Sequence, residues 1–545
     1  MPVACAGRGL CRGSPVRRDA LHRAAVRYLG CEFLRPCSMT RPMLRRAAVL
    51  SLLVATLAPA AEAQNRPRRT AEPKTDAAQQ RVDTIPVRPT TTGAATVDSS
   101  VTARYRDAAR RIVEAATRDS SAWHRLAELT DTFGPRLSGT QALEKALDWT
   151  VEQMTRDGFD RVWTEPVMVP VWVRGEESAT LTVPYVDRLP MLGLGGSVGT
   201  PPEGVEAEVM VVSTFAELTA RCAEARGKIV LFNAPFVTYG QTVAYRSGGG
   251  RAASQCGAVA ALVRSVASGS MATPHTGATR YTPPVADGAT PPPPDVTPIP
   301  IAAITVEDAG RLHRMARRGT PLRLRLKMEA RTLPDAPSRN VLAEIRGSEH
   351  PEQVVVMGGH TDSWDVGTGA MDDAGGVVAA WEALRLLKTL GLRPRRTIRV
   401  VGWTNEENGL RGGTEYARAH AAELPNHVLA IESDGGTFQP LGFGFAGKND
   451  AFALLEQVGP LLAPFGAGRI TRGGGGADIG PMAPAGVPQM SLNVDGRRYF
   501  YYHHTEADAM DVIDPVELAR CAAAMAIMAY VVADMPERLP HGSTP

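Results

Sequence analysis

Little in this chain marks a class by abundance. Seven of its 545 residues are cysteine, too few for a disulfide scaffold. No Cys-x-x-Cys pair and no His-Glu-x-x-His segment offers a ready-made zinc site. Aromatic residues make up only 6%, so the core falls to aliphatic and small side chains within a 44% apolar composition. Net charge is +3, and residues 1–63 hold ten Arg against one Asp and two Glu, which leaves the remainder at a net −4. A mildly acidic mature chain has no electrostatic reason to bind nucleic acid. The apolar run near the front, Ala47–Ala58, is shorter than the roughly 20 residues that cross a bilayer. No internal repeat is found.

That front has the order of a secretory signal. Arg41, Arg45 and Arg46 precede the apolar run, and Ala61-Glu62-Ala63 places small residues before Gln64. The pattern predicts export, with a signal peptide over about 39–63 and no stable membrane insertion after cleavage. Met39 or Met43 starts a signal of ordinary length, which marks residues 1–38 as an over-extended reading frame. Of the three cysteines left after cleavage, Cys222 and Cys256 fall in one candidate domain. Spacing alone leaves a disulfide and two buried thiols both open.

The length suggests several units of about 150 residues. Residues 64–100 are rich in Pro, Thr, Arg and Gln without hydrophobic period and read as a disordered linker. Residues 101–170 read as an N-terminal helical part of the main domain, with helical spacing through Met154 interrupted by Phe133-Gly134-Pro135-Arg136-Leu137-Ser138-Gly139, where Ser138 is a candidate cap, and a β-like pattern from Val162 to Val173. Short strands, helices and Pro-rich breaks over 171–330 predict a smaller inserted α+β domain. The main domain, 331–545, alternates α and β. Strands are expected at 341–345, 353–357, 397–403, 428–432 and 489–492, and helices at 376–390, 410–422, 451–462 and 515–533. The fold class is therefore α/β, with a mixed, mostly parallel sheet flanked by helices.

Metal-type side chains recur where such sheets bind ligands, beyond the carboxyl ends of strands. His360 follows Val354–Gly359, Glu406 and Glu407 follow Arg399–Trp403, and Asp434 follows Ala430–Ser433. Asp372 precedes the crossover helix, and Tyr502-His503-His504-Thr505 comes late. Two His with several carboxylates form an N/O set suited to a pair of divalent ions. Glu406 and Glu407 are adjacent at a strand end, so one can bind metal while the other serves as base.

These motifs, His-x-Asp, Asp-Asp-x-x-Gly, Glu-Glu-x-Gly-Leu-x-Gly and Tyr-His-His-Thr-x-x-Asp, occur in an order that resembles peptidase family M28, the co-catalytic zinc peptidases. The likeness spans about 102–535 and makes the insert similar to a protease-associated domain. It implies two Zn2+ per chain, with Asp372 bridging, Glu407 joining His360 on one ion and His504 joining Asp434 on the other. Motif position favours His504 over His503, because the ligand is followed by Thr. Glu406 becomes the general base, Asp362 the group that orients the site, and Asp372-Asp373 a cis peptide. A homodimer is also implied.

The function this implies is exopeptidase action on short peptides. Amino-terminal recognition needs an acid, for which Asp478, Asp495 and Glu432 are available; carboxy-terminal recognition needs a cation, for which Arg497, Arg498 and Lys448 are available. The reading favours an aminopeptidase or dipeptidase, with a carboxypeptidase and a non-catalytic binding protein on the same fold as alternatives. Gly195-Gly196-Ser197-Val198-Gly199 matches a serine-hydrolase elbow in letters, but Thr200-Pro201-Pro202 follows where a helix is required. Gly473–Gly476 lacks the end of a phosphate loop and is expected to bring Asp478 to the substrate.

Overall fold

The computed structural model describes residues 100–269, 271–283 and 292–542. The expectations for the leader, the signal peptide and residues 64–99 lie outside the described residues.

The main sheet has eight strands: β1 (Arg161–Val173), β2 (Arg331–Ile345), β3 (His350–His360), β4 (Arg396–Trp403), β5 (His427–Glu432), β6 (Pro440–Ala446), β7 (Arg469–Arg472) and β8 (Gln489–Val494). Their spatial order is β1-β2-β4-β3-β5-β8-β6-β7. The central four, β4-β3-β5-β8, are mutually parallel, so their carboxyl ends open on one edge. Val354–Met357, Ile398–Val401 and Val428–Ile431 are buried on both faces except where polar side chains are paired. This is the near-continuous apolar pattern of covered parallel strands. The mixed α/β fold class is as the sequence predicts. The sequence reading missed β6 and β7: Pro440-Leu-Gly-Phe-Gly-Phe-Ala446 alternates glycine with its apolar residues, and Arg469-Ile-Thr-Arg472 is a short polar edge strand, both patterns that blur the strand signal.

The crossover helix Gly375–Thr389 and the helix Pro515–Asp534 lie against this sheet and each other, joined by the helices Val101–Arg118, Ser121–Phe133 and Gln141–Asp157 in the largest hydrophobic cluster. Pro515–Asp534 is long and apolar enough to cross a membrane by length and composition, but 78% of that window is buried inside the protein, as in a core helix. Asp514 caps it by accepting from the Val516 and Glu517 amides. The expected helix over 451–462 is broken into Asn449–Glu456 and Gly459–Leu462, where Gly459-Pro460 interrupts it.

Between β1 and β2 runs a second eight-stranded sheet, in the order Asp187–Leu189, Glu177–Val183, Arg323–Met328, Val205–Val212, Ile229–Phe232, Ala260–Arg264, Ile301–Ile304 and Met191–Gly193. The helices Tyr239–Gln255 and Val306–Arg317 accompany it. This insert is fastened to the main sheet. Trp364, on the loop after β3, is buried in the insert's core, and a Cβ at Gly195 would stand 2.2 Å from its ring. Arg174, just past β1, grips Asp365 through two nitrogens and donates to the Gly193 carbonyl. The insert is a fixed wall of the main sheet's open edge.

Cys222 and Cys256 are disulfide-bonded, with Cα atoms 4.9 Å apart and a sequence separation of 34. Closing a loop of that size stabilises by about 2–4 kcal/mol. The Cys222→Ser, Cys256→Ser double variant should unfold in urea with stability lower by about that amount; an unchanged midpoint would show that the bond contributes nothing.

Candidate metal centre

Strand register gathers the predicted ligands. His360 ends β3 level with Trp403 of β4, and Gly358 of β3 is level with Glu432 of β5. The turns beyond β4 and β5 therefore bring Glu406, Glu407 and Asp434 around His360. Asp372 and Asp373 sit in the tight turn Ala370–Ala374 before the crossover helix, joined by a cis peptide. Gly359 is required here: a Cβ would stand 2.1 Å from the Asp373 carboxylate, which accepts from the His360 amide at 3.1 Å.

Asp372 is the hub. Its Oδ1 lies 3.3 Å from His360 Nε2, which is itself 3.5 Å from Asp434 Oδ1. Its Oδ2 lies 3.4 Å from His504 Nε2, which is 3.0 Å from Glu407 Oε2. Each Asp372 oxygen thus faces an imidazole that in turn meets a further acid. This corrects the expected pairing: Glu407 stands with His504, and Asp434 with His360. The chain turns at Asn405, φ +68°, and this turn redirects Glu407 in a way that strand order cannot reveal. His503 Nε2 also comes within 3.7 Å of Asp372 Oδ2, its ring stacked at 3.6 Å on His504. Only His504 of the two also meets Glu407.

Surrounding hydrogen bonds fix these groups. His360 Nδ1 lies 2.9 Å from the Asp362 carbonyl and His504 Nδ1 3.2 Å from the Thr276 carbonyl. A proton on each Nδ1 leaves both Nε2 lone pairs facing Asp372. Asp362, fully buried, accepts from the Glu406 and Glu407 amides at 3.1 and 3.4 Å. Asp508 accepts from the Met371 and Asp372 amides at 2.7 and 3.1 Å. Ser138 does not cap a helix: Thr140 does, while Ser138 Oγ donates to Asp362 and accepts from Asn405. Buried Arg136 donates to the carbonyls of Gly134, Thr361, Thr368 and Gly369 and so holds the loop after His360.

The electrostatics call for cations. Burial raises Asp372, but His360 and His504 beside it hold its carboxyl below the usual range. Burial, then the charges of Asp434 and Asp372, push Glu406 up to about 8, and burial with Asp372 pushes Glu407 well up. Among the described residues Asp372 Oδ2 has no hydrogen-bond partner, although it is buried. Two imidazole nitrogens and three carboxylates, one of them with an orphaned oxygen, form a donor set that fits zinc.

Beside Asp434 opens a cavity of about 440 Å³, lined among others by Glu432, Gly476, Asn493, Tyr499 and Phe500. Among the described residues its lining has no Lys or Arg. The expected cations are elsewhere: Arg497 is exposed and paired with Asp495, and Arg498 reaches Glu517. Asp478 does not line the cavity either. It is fully buried, and among the described residues neither carboxylate oxygen is hydrogen-bonded; Glu432, which accepts from the Ile479 amide, stands at the wall instead. Ser197 of the apparent elbow is buried, donating to the Val198 carbonyl and accepting from the Ile301 amide, so it is structural.

Residues 340–529 match the model of peptidase family M28. The chain is 48% identical to human carboxypeptidase Q over 438 residues, covering 80% of this chain and 90% of that protein. The chain belongs to peptidase family M28. It is a metallopeptidase, and a solved M28 peptidase precursor from Shewanella amazonensis superposes with a TM-score of 0.76 at 35% identity, covering 80% of this chain and 98% of that one. A zinc aminopeptidase from Bacillus subtilis shares the M28 fold with a TM-score of 0.56 at 20% identity, covering 77% of this chain and 97% of that one.

Sequence reasoning missed Arg136 and Ser138 as supports of this M28 centre, and everything the insert contributes; no spacing signal connects residues so far apart. Asp508→Ala should leave the Asp372 amide without its acceptor and weaken zinc binding about 10–100-fold, measured by competition with a chromophoric chelator. An unchanged affinity would show that Asp508 does not hold the hub.

Proposed function

We propose that the chain is an exported exopeptidase that hydrolyses short peptides with two zinc ions sharing Asp372. The observation that carries this is the division of the Asp372 carboxylate, one oxygen facing His360, which also meets Asp434, and the other facing His504, which also meets Glu407. Those five residues would hold the ions. Bound zinc supplies Lewis acidity towards the scissile carbonyl and acidifies water. Glu406 takes the proton of the attacking water and returns it to the leaving amine. Its own amide, fixed on Asp362, sets where that carboxylate stands. Asp362 does not touch substrate; it orients Glu406 and, through its carbonyl, His360.

Amino-terminal recognition is the reading we favour, as aminopeptidase or dipeptidase. The cavity beside Asp434 presents Glu432 and no basic side chain, which suits an α-ammonium group. The name of the 48% identical relatives supports a carboxypeptidase as the second reading. Export is supported by the leader pattern and by the Cys222–Cys256 bond, which suits an oxidising compartment.

Two measurements test this. Glu406→Gln should lower kcat by roughly 10²–10⁴-fold with zinc content unchanged; full activity would remove Glu406 as base. In a panel of free, N-acetylated and C-amidated dipeptides, the enzyme should cleave the free and amidated forms and spare the acetylated ones. Cleavage of acetylated but not amidated dipeptides would replace the amino-terminal reading with the carboxypeptidase one.

A further inference from the structure

The insert packs the Tyr239 phenol against His503 and Phe500 beside the centre, and its hydrogen bonding is unbalanced. Tyr239 and Arg246 lie seven residues apart on the helix Tyr239–Gln255, two turns along one face. Arg246 Nη2 donates to the Tyr239 hydroxyl at 2.7 Å. A guanidinium has no lone pair to give back, so the phenol oxygen is the acceptor and its own proton is uncommitted. Among the described residues no acceptor takes that proton.

Both groups are held against the metal-type ligands. Arg246 is buried, and its Nη1 lies 3.2 Å from His504 Nδ1 and 3.4 Å from the Thr276 carbonyl, the same carbonyl that His504 Nδ1 faces. A Cβ at Gly277 would stand 2.3 Å from the guanidinium carbon, so glycine at 277 is what lets Arg246 reach this place. The Tyr239 ring packs edge-on to His503 at 5.3 Å and stacks on Phe500 at 5.3 Å; Phe500 is a wall of the substrate cavity. Burial, and to a smaller extent the charges of Glu406 and Asp372, raise the pKa of the phenol, while Arg246 opposes them. The phenol therefore stays protonated and able to donate.

From this geometry we infer that Tyr239 is a catalytic residue contributed by the insert, its hydroxyl donating a hydrogen bond to the oxyanion that forms from the scissile carbonyl. Arg246 is its positioning residue: by donating to the phenol oxygen it fixes the hydroxyl and strengthens it as a donor. No covalent step is added; the phenol keeps its proton throughout. The inference rests on the reading of the Asp372 cluster and Glu406 as the peptidase centre. It also gives the insert a chemical task.

The test compares Tyr239→Phe, which removes only the hydroxyl, with wild type and Glu406→Gln, on the free dipeptide of the panel that wild type turns over fastest. Removing a single oxyanion donor costs roughly 10²–10³-fold in kcat. Tyr239→Phe should lose about that much in kcat, with KM within about threefold and with zinc content and melting temperature unchanged. Arg246→Met should reproduce a loss in kcat and Arg246→Lys should restore part of it. A Tyr239→Phe enzyme within about tenfold of wild-type kcat, or one whose loss is confined to KM as for a ground-state anchor, overturns the inference. If Glu406→Gln is inactive while Tyr239→Phe is normal, the inference fails alone; if Glu406→Gln is fully active, the reading beneath it fails.

Discussion

Burying several carboxylates around one point is the constraint from which the rest of this structure follows. Asp362, Asp372, Glu407 and Asp508 are all buried, with Glu406 and Asp434 beside them. Unpaired buried charge is expensive, and the fold answers in two ways. Backbone amides are turned onto Asp362, Asp373 and Asp508, and the buried Arg136 guanidinium lends its charge to the same three. Asp372, Glu407 and Asp434 instead face the imidazoles of His360 and His504 at 3.0 to 3.5 Å, spacings that neighbouring ligands of one ion can share.

The second sheet is part of that answer. It is joined to the loop after His360 by Trp364 in its core and by Arg174 on Asp365. From that fixed place it offers the Thr276 carbonyl, which sets the ring of His504. His504 itself adopts φ +63°, and its carbonyl accepts from the Thr276 amide at 2.9 Å. A conformation this uncommon for a residue with a side chain is held by contacts from both sheets. The centre therefore belongs to the assembled chain, and the β3–β4 unit alone carries half of it.

Much of this was legible in sequence, for a physical reason. Parallel strands place their carboxyl ends together, so acids and histidines just beyond Gly359, Trp403 and Ser433 had to converge. What remained hidden depended on turns and tertiary contacts. The partner of Glu407 is decided by the backbone at Asn405, and Ser138 caps nothing because Asp362 and Asn405 claim its hydroxyl. Arg497 and Arg498 looked available for substrate, yet nearer acids, Asp495 and Glu517, take them at the surface. Tyr239, Arg246 and Thr276 sit more than two hundred residues before His504, and no periodicity links them. The strand Pro440–Ala446 was hidden by its glycines.

The central claim is that one carboxylate, Asp372, serves two separate ligand sets. Zinc stoichiometry by mass spectrometry of elemental content, on wild type and on single alanine variants of His360, Asp434, His504 and Glu407, tests it most directly. The account predicts two zinc ions in wild type and one in each variant. Cobalt substituted into the remaining site should give one spectrum for the His360 and Asp434 variants and a different one for the His504 and Glu407 variants. A wild type holding one ion or none, or spectra that group His360 with Glu407, would contradict it.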